Sequence, residues 1–258
     1  VKNEKLSLKS RLAASTPMLG TFVKTPHYHI TEVLSQTELD VLCLDAEHAS
    51  FTRADLDACV LAARANQQDV IIRVPDAQPA TLLNALDIGA TGVLVPHVKS
   101  AQQLSDIVRQ CFYGDEGRGY AGSTRFAGYT TQSLADNLQR NREQTCVMAQ
   151  IEDLAALQEL DEICRVDGVD CLFIGTMDLT VALGATSAAD SRVTEVLEQI
   201  VSAATKHQRP VGMFIPNLDD LPYWIERGVS LFLLGSDQSF ILQGAAALRK
   251  KFEASNSQ

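Results

Sequence analysis

Eight short, almost solidly apolar runs recur along this chain, and the stretches between them carry helical spacing. The runs cover residues 18–24, 41–47, 70–75, 92–98, 147–153, 171–178, 210–215 and 231–237. Near-continuous hydrophobicity without strict alternation is the pattern of parallel strands covered by helices. The segments 53–65, 79–88, 100–111, 153–164, 193–207 and 218–227 repeat apolar residues at helical intervals. Thr52, Ser100 and Asn217 stand where amino-terminal caps are needed, and Gly89 and Gly228 stand where helices should stop. Strands alternating with helices imply βαβ units and a parallel sheet. Eight such units favour a closed barrel, because an open doubly wound sheet would more readily show a G-x-G-x-x-G turn, which the chain lacks. The expected fold is α/β, a (β/α)8 TIM barrel over residues 1–258 as a single domain.

Composition agrees with that size and narrows the partners. A chain of 258 residues, 46% hydrophobic and 21% charged, is long enough for one barrel and too apolar to be disordered. A net charge of −10 with no basic patch argues against a nucleic-acid partner. The six cysteines form no C-x-x-C pair and mostly lie inside apolar patterns, so reduced structural thiols in a cytoplasmic setting are expected. No apolar run approaches the roughly 18 residues of a membrane span, and the polar start is unlike a signal peptide.

One connection breaks the rhythm. Residues 99–146 separate the fourth run from the fifth, and the portion 112–132 carries Gly114, Gly117, Gly119, Gly122 and Gly128. Long glycine-rich stretches in compact domains are commonly functional. Coming after a strand, this one is expected on the catalytic face, where the strand carboxyl ends lie.

The chemistry-bearing residues cluster at the strand ends. Glu152 closes the fifth run and Asp178 the sixth. Carboxylates there are poorly placed for packing, since an unpaired buried charge is costly, but well placed for a metal or a substrate. The other ends carry Lys24, His27 and His29; Asp45, Glu47 and His48; Arg73; His97; Gln150; and Ser236 and Asp237. Residues two apart on a strand share a face, so Asp45 goes with Glu47 and Gln150 with Glu152. Oxygen-only ligation suits Mg2+ or Mn2+; zinc would recruit histidine or cysteine, and neither flanks the Glu152–Asp178 pair in sequence. Such an ion can chelate a 2-keto acid and act as a Lewis acid toward an enolate. Arg73 would add positive charge at the enolate oxygen, and His48 would carry protons. Plainer roles stand beside these: Arg73 in a structural ion pair with Asp45 or Glu47, His97 as a strand cap, His27 and His29 as solvated loop residues, Arg118 and Arg125 as surface charge.

The ordered segments Asp45-Ala46-Glu47-His48, Arg73-Val74-Pro75, Leu86-Asp87-Ile88-Gly89-Ala90, Leu94-Val95-Pro96, Gln150-Ile151-Glu152 and Phe173-Ile174-Gly175-Thr176-Met177-Asp178-Leu179 together resemble a known family. It is the class II, metal-dependent pyruvate aldolases of the HpcH/HpaI aldolase/citrate lyase group, and the likeness runs through most of the chain. Arg118-Gly119-Tyr120 with Ser123-Thr124-Arg125 is similar to one subgroup. The resemblance implies a barrel of the phosphoenolpyruvate/pyruvate type, with Glu152 and Asp178 as ligands for Mg2+ or Mn2+, Co2+ being a further option. It implies Arg73 at the enolate oxygen, Gln150 and Glu47 beside the substrate, and His48 as acid/base. Asp45 would orient His48, with Asp87 contributing from a nearby or neighbouring subunit. Backbone amides around Gly175 and Thr176 would receive the pyruvate carboxylate. It further implies a homohexamer, a trimer of dimers with the last helix exchanged, to which the apolar run 240–248 conforms. Two departures are His97, where many relatives carry an apolar residue, and Thr176, where many carry proline.

The activity implied is reversible cleavage of a 4-hydroxy-2-keto acid to pyruvate and an aldehyde through a pyruvate enolate held on the metal, with oxaloacetate decarboxylation as a side reaction. A Schiff-base aldolase needs a low-pKa lysine inside the barrel, and the sixth run offers none. Three other readings stand beside it. An acyl-CoA (citryl- or malyl-type) C–C lyase would want more basic residues for the CoA phosphates. A metal hydrolase built on His27, His29 and Asp237 would want more histidines on strands five and six. The last is a non-catalytic ligand-binding barrel.

Overall fold

A computed structural model of the chain describes residues 6–256. Eight parallel strands close into a barrel in sequence order. They are β1 (Met18–Val23), β2 (Val41–Asp45), β3 (Asp69–Arg73), β4 (Gly92–Val95), β5 (Cys146–Ile151), β6 (Cys171–Ile174), β7 (Val211–Met213) and β8 (Val229–Ser236). The helices are α1 (Leu8–Ala13), α2 (Tyr28–Leu34), α3 (Arg53–Ala65), α4 (Pro79–Asp87), α5 (Ala101–Cys111) and α6 (Leu134–Gln144). They continue with α7 (Leu160–Arg165), α8 (Thr176–Ala182), α9 (Ser191–Lys206), α10 (Leu221–Glu226) and α11 (Asp237–Asn256).

The period of two along each strand divides the core into two shells. Met18, Phe22, Val41, Cys43, Ile71, Leu94, Met148, Cys171, Phe173, Leu231 and Leu233 fill the barrel interior. Their neighbours, such as Leu42, Leu44, Val70, Ile72, Val147 and Ala149, pack outward against the helices. Helix α1, which the strand–helix pattern does not announce, adds Leu8 and Leu12 to the interior cluster. Its Arg11 bonds Asp40 at 2.7 Å and Asp69 at 2.6 Å, the latter opening β3. That pins α1 across the amino-terminal end of the barrel.

Helix α3 occupies the expected span because both ends are written locally. Thr52 accepts from the Asp55 amide and Asp55 reaches back to the Thr52 amide, a reciprocal cap. All six cysteines are free and buried, and burial pushes the Cys43 and Cys111 thiols up to about 12. Among the described residues, no helix is long and apolar enough to cross a membrane.

The glycine-rich stretch 112–132 lies elsewhere than expected. Strand β4 is followed by α5, so the stretch leaves a helix rather than a strand and runs through α6 into β5. It therefore belongs to the amino-terminal end of the barrel, opposite the strand carboxyl ends. His27 and His29 are also not in a loop: His27 caps α2, its ring accepting from the His29 amide, and His29 lies within the helix.

Candidate active site

Inward alternation delivers the first part of the site. Asp45, Arg73 and Gln150 continue the inner faces of β2, β3 and β5. The β2–β3 register sets Asp45 opposite Arg73. The Arg73 Nε donates to Asp45 Oδ1 at 2.9 Å and Nη2 donates to Oδ2 at 2.8 Å, a fork-shaped pair. Lys24 Nζ approaches the same Oδ2 at 3.0 Å, and the His48 amide donates to Oδ1 at 3.2 Å. Burial alone would raise the Asp45 carboxyl, but the Arg73 bonds and charge, with Lys24, outweigh it and hold it below the ordinary carboxylate range. Burial works against the Arg73 charge too, and Asp45 more than offsets it, so the guanidinium is held more firmly protonated. The ring of Phe22 lies 4.8 Å from the guanidinium carbon.

Glu47 and His48 stand just beyond β2. Glu47 Oε2 lies 3.3 Å from Arg73 Nε and 3.6 Å from His48 Nε2, while Oε1 lies 3.6 Å from His97 Nε2. The Arg73 approach is an ion pair without hydrogen-bond geometry, so the buried Oε2 has no hydrogen-bond partner. The His48 ring is more than half exposed. Asp45 therefore meets His48 through the backbone amide rather than the ring, and both its oxygens are engaged by Arg73.

Glu152 follows β5 and is buried. Its Oε1 accepts from the His97 amide at 2.7 Å, and its Oε2 accepts from Gln150 Nε2 in a short bond. Gln150 Oε1 is buried with no partner. Burial raises the Glu152 carboxyl and the nearby Asp178 charge adds to this, against the lowering by Gln150 and His97. Gly175 is required here: a Cβ would sit 2.6 Å from Glu152 Cβ and 2.8 Å from its Oε2. Asp178 is not on β6, which ends at Ile174, but in the first turn of α8.

His97 is the residue the sequence undervalued. It adopts φ +55°, the left-handed region, directly after Pro96. That turn aims its amide at Glu152 and brings its ring among Glu47, Glu152 and Asp153. Nδ1 lies 3.0 Å from Asp153 Oδ2 and 3.3 Å from Glu152 Oε1. Burial opposes the imidazolium, but the Asp153 bond and the surrounding carboxylates outweigh it and raise the pKa. Glu47, His97 and Glu152 offer ligand atoms that all lie within 4.8 Å of one another. The sequence expectation that no histidine flanks the acidic pair is thus corrected: the chain folds one against Glu152 from the end of β4.

A cavity of about 480 Å3 opens beside Glu152, against Gln150 and Gly175. Lys24, His48, Arg73, Gln150, Thr176 and Asp178 give it polar walls, and Phe22, Phe173 and Phe214 give it apolar ones. Lys24 is thus a cavity residue, its ammonium engaged by Asp45.

Other expectations change. The Gly175 amide is not free for a substrate carboxylate, because it donates to Ile151 O at 3.0 Å in the β5–β6 ladder. Thr176, Met177 and Asp178 are the first helical amides of α8, with no acceptor within the helix. The Thr176 hydroxyl donates to Phe214 O at 2.8 Å and ties α8 to the segment after β7. Asp237 accepts from the Lys24 and Thr25 amides at 2.7 and 3.1 Å, so it clamps the end of β1 instead of joining His27 and His29. Asp87, at the end of α4, lies at the opposite end of the barrel from Glu152 in the same chain. It accepts from Arg118 Nη2 at 2.5 Å. Arg118 itself is no surface charge: its side chain is fully buried between the rings of Tyr113 and Phe126. Arg125 is half-buried and holds Asp57 with two nitrogens at 2.7 and 3.0 Å.

Known proteins resemble this chain over most of its length. A 5-keto-4-deoxy-D-glucarate aldolase of Klebsiella pneumoniae is 30% identical over 95% of this chain and 96% of its own. A hydroxypyruvate/pyruvate aldolase of Paraburkholderia phytofirmans is 30% identical over 92% of this chain and 93% of its own. The crystal structure of an HpcH/HpaI aldolase/citrate lyase family protein from Burkholderia cenocepacia superposes with a TM-score of 0.90 at 27% identity. That match covers 95% of this chain and 98% of the other. The pattern of the HpcH/HpaI aldolase/citrate lyase family matches residues 18–243, and the chain belongs to that family.

Proposed function

We propose that this protein is a carbon–carbon lyase, a divalent-metal-dependent aldolase that reversibly cleaves 4-hydroxy-2-keto acids to pyruvate and an aldehyde. The relatives named as aldolases support the reaction class. The observation that carries it is the cavity lined by Arg73, Gln150 and Asp178, with buried Glu152 accepting a hydrogen bond from Gln150.

A divalent cation fits these donors. Glu47 Oε2 and Gln150 Oε1 are buried acceptors without hydrogen-bond partners, and Glu152 is a carboxylate that burial makes costly to ionise without a counter-charge. Glu152 and Asp178 would hold the ion, Mg2+ or Mn2+ suiting their oxygens and Co2+ also being compatible. When bound, it supplies Lewis-acid polarisation of the 2-keto group.

The chain's own residues supply the rest. Arg73 uses Nε and Nη2 on Asp45, which leaves Nη1 for the oxygen that gains charge as the enolate forms. Asp45 keeps the guanidinium charged and fixed. Gln150 and Glu47 border the keto-acid position, and the Thr176 amide replaces Gly175 as the donor for the pyruvate carboxylate. His48, exposed at the mouth, takes the C4 hydroxyl proton in cleavage and returns it in synthesis. The aldehyde leaves as the C3–C4 bond breaks, and protonation at C3 completes pyruvate.

The exposed apolar residues of α11, Phe240, Ile241, Leu242, Leu248 and Phe252, fit an exchanged helix in a homohexamer. In that assembly Asp87 would serve a neighbouring subunit's site. The six free thiols fit a reducing, cytoplasmic compartment.

The test is pyruvate release from a panel of 4-hydroxy-2-keto acids with Mg2+, Mn2+ or EDTA. Release should need the metal and fall by about 10^2–10^3-fold in kcat/KM for Arg73→Lys and Glu152→Gln. Release from no member of the panel, with metal bound, would favour an acyl-CoA lyase or a binding barrel.

A further inference from the structure

A second cavity, of about 330 Å3, lies at the amino-terminal end of the barrel, beside α1 and the start of β3. Arg64, near the end of α3, and Arg140, on α6, both line it, together with Gln68, Gln144 and Thr91. Among the described residues neither arginine has a carboxylate partner; what holds them is neutral. Arg64 Nη1 donates to Gly89 O at 3.3 Å. Gly89, at φ +90°, leaves that guanidinium its room, since a Cβ there would sit 3.2 Å from Nη1. Arg140 Nη2 donates to Asn137 Oδ1 at 3.1 Å, and its guanidinium carbon lies 4.8 Å from the centre of the Phe126 ring. A carbonyl, an amide and a ring orient these cations without cancelling their charge. Arg125 adds a third guanidinium on Ile88 O, and its carboxylate, Asp57, offsets only one of the three charges. Desolvation, followed by the like charges of Arg125 and Arg140, holds Arg64 below the usual arginine range. The acid on the cavity wall, Asp69, is already bonded to Arg11 at 2.6 Å. In a chain with a net charge of −10, this crowded group is short of a counter-charge.

We propose that this cavity is a second binding site, for a small multivalent oxyanion, with Arg64 and Arg140 as its recognising groups. The planar forks of two guanidiniums match phosphate or carboxylate oxygens. The Thr91 hydroxyl accepts from the Val70 amide at 3.1 Å, so its own proton remains to be donated. Gln68 and Gln144 add amide donors beside the charged groups. The volume is at the small end of ligand sites, which suits a compact anion. The site shares no lining residue with the cavity of Arg73 and Gln150 and lies at the other end of the barrel. It therefore stands or falls independently of the aldol reaction.

Titration calorimetry of the full chain with pyrophosphate and with citrate, in EDTA and at an ionic strength fixed by chloride, tests this without reference to turnover. The tighter of the two identifies the source of the anion, phosphate or carboxylate. Its Kd should weaken about tenfold or more when Arg64→Gln and Arg140→Gln are combined. Arg64 is exposed and Arg140 half-buried, so glutamine is tolerated at both, and either single variant should weaken binding by a smaller factor. Binding should survive in Arg73→Lys, which alters the other cavity. Binding that is lost in Arg73→Lys and kept in the double variant would place the anion at the mouth of the barrel and overturn the inference. So would a wild type that binds neither anion at millimolar concentration. A wild type that binds neither, with an oligomeric mass that changes in the double variant, would overturn it by giving the two arginines to a contact between copies.

Discussion

Two arginine–aspartate pairs stand at opposite ends of the barrel and are built in opposite ways. At the mouth, Arg73 grips both oxygens of a fully buried Asp45, with Lys24, Glu47 and the His48 amide close by. At the other end, fully buried Arg118 gives one hydrogen bond to a partly exposed Asp87 and lies between two aromatic rings, with Nε and Nη1 unpartnered. The first pair is polar and over-determined and borders a cavity. The second is apolar and under-determined and anchors a glycine-rich segment to α4. A buried charge with several partners can lose one and remain placed; a buried charge with a single partner cannot.

That contrast can be broken by experiment. The larger stability effect belongs to the sparser pair. Asp87→Ala leaves Arg118 buried without a carboxylate and should cost about 3–5 kcal/mol in urea unfolding. A loss within about 0.5 kcal/mol of zero would mean that the two rings alone hold the guanidinium. A smaller effect, whose pH dependence appears only in acid, belongs to the mouth. The Asp45 carboxyl is held below its ordinary value in the folded chain, so its contribution is complete above about pH 4 and fades as the pH falls through the folded value. The stability gap between wild type and Asp45→Asn should therefore narrow as the pH is lowered from about 5 toward 2. A gap that stays constant over that range would show that Asp45 is not held by its cations.

Much of the fold was legible because strand and helix periods are local. The barrel follows from eight apolar runs, and the span of α3 follows from Thr52 and Asp55, whose reciprocal cap is written in four residues. Helix α1 was not legible because its role, closing the barrel with Leu8 and Leu12, is a long-range packing fact. The end of the barrel to which the glycine-rich stretch belongs is not legible from its distance to β4, because α5 intervenes and carries the chain to the opposite end. At the site, Asp45, Arg73, Gln150 and Glu152 could be placed from alternation alone. His97 could not, because its ring position depends on a left-handed backbone that Pro96-His97 does not announce. Gly175 was assigned a free amide because a sequence does not display which N–H groups the β-ladder takes up. Asp178 was read as a strand end, yet the turn at Gly175 starts a helix and carries the carboxylate to the same cavity.

The central claim is that Arg73 and the carboxylate cluster stabilise a pyruvate enolate. The most direct measurement is deuterium incorporation into the methyl group of pyruvate in D2O, with no aldehyde present, quenched with EDTA and read by mass spectrometry. The account predicts incorporation well above the rate with metal ion alone, lost on chelation and strongly reduced in Arg73→Lys and Glu152→Gln. Incorporation by the metal-loaded protein no faster than by the ion alone would contradict it.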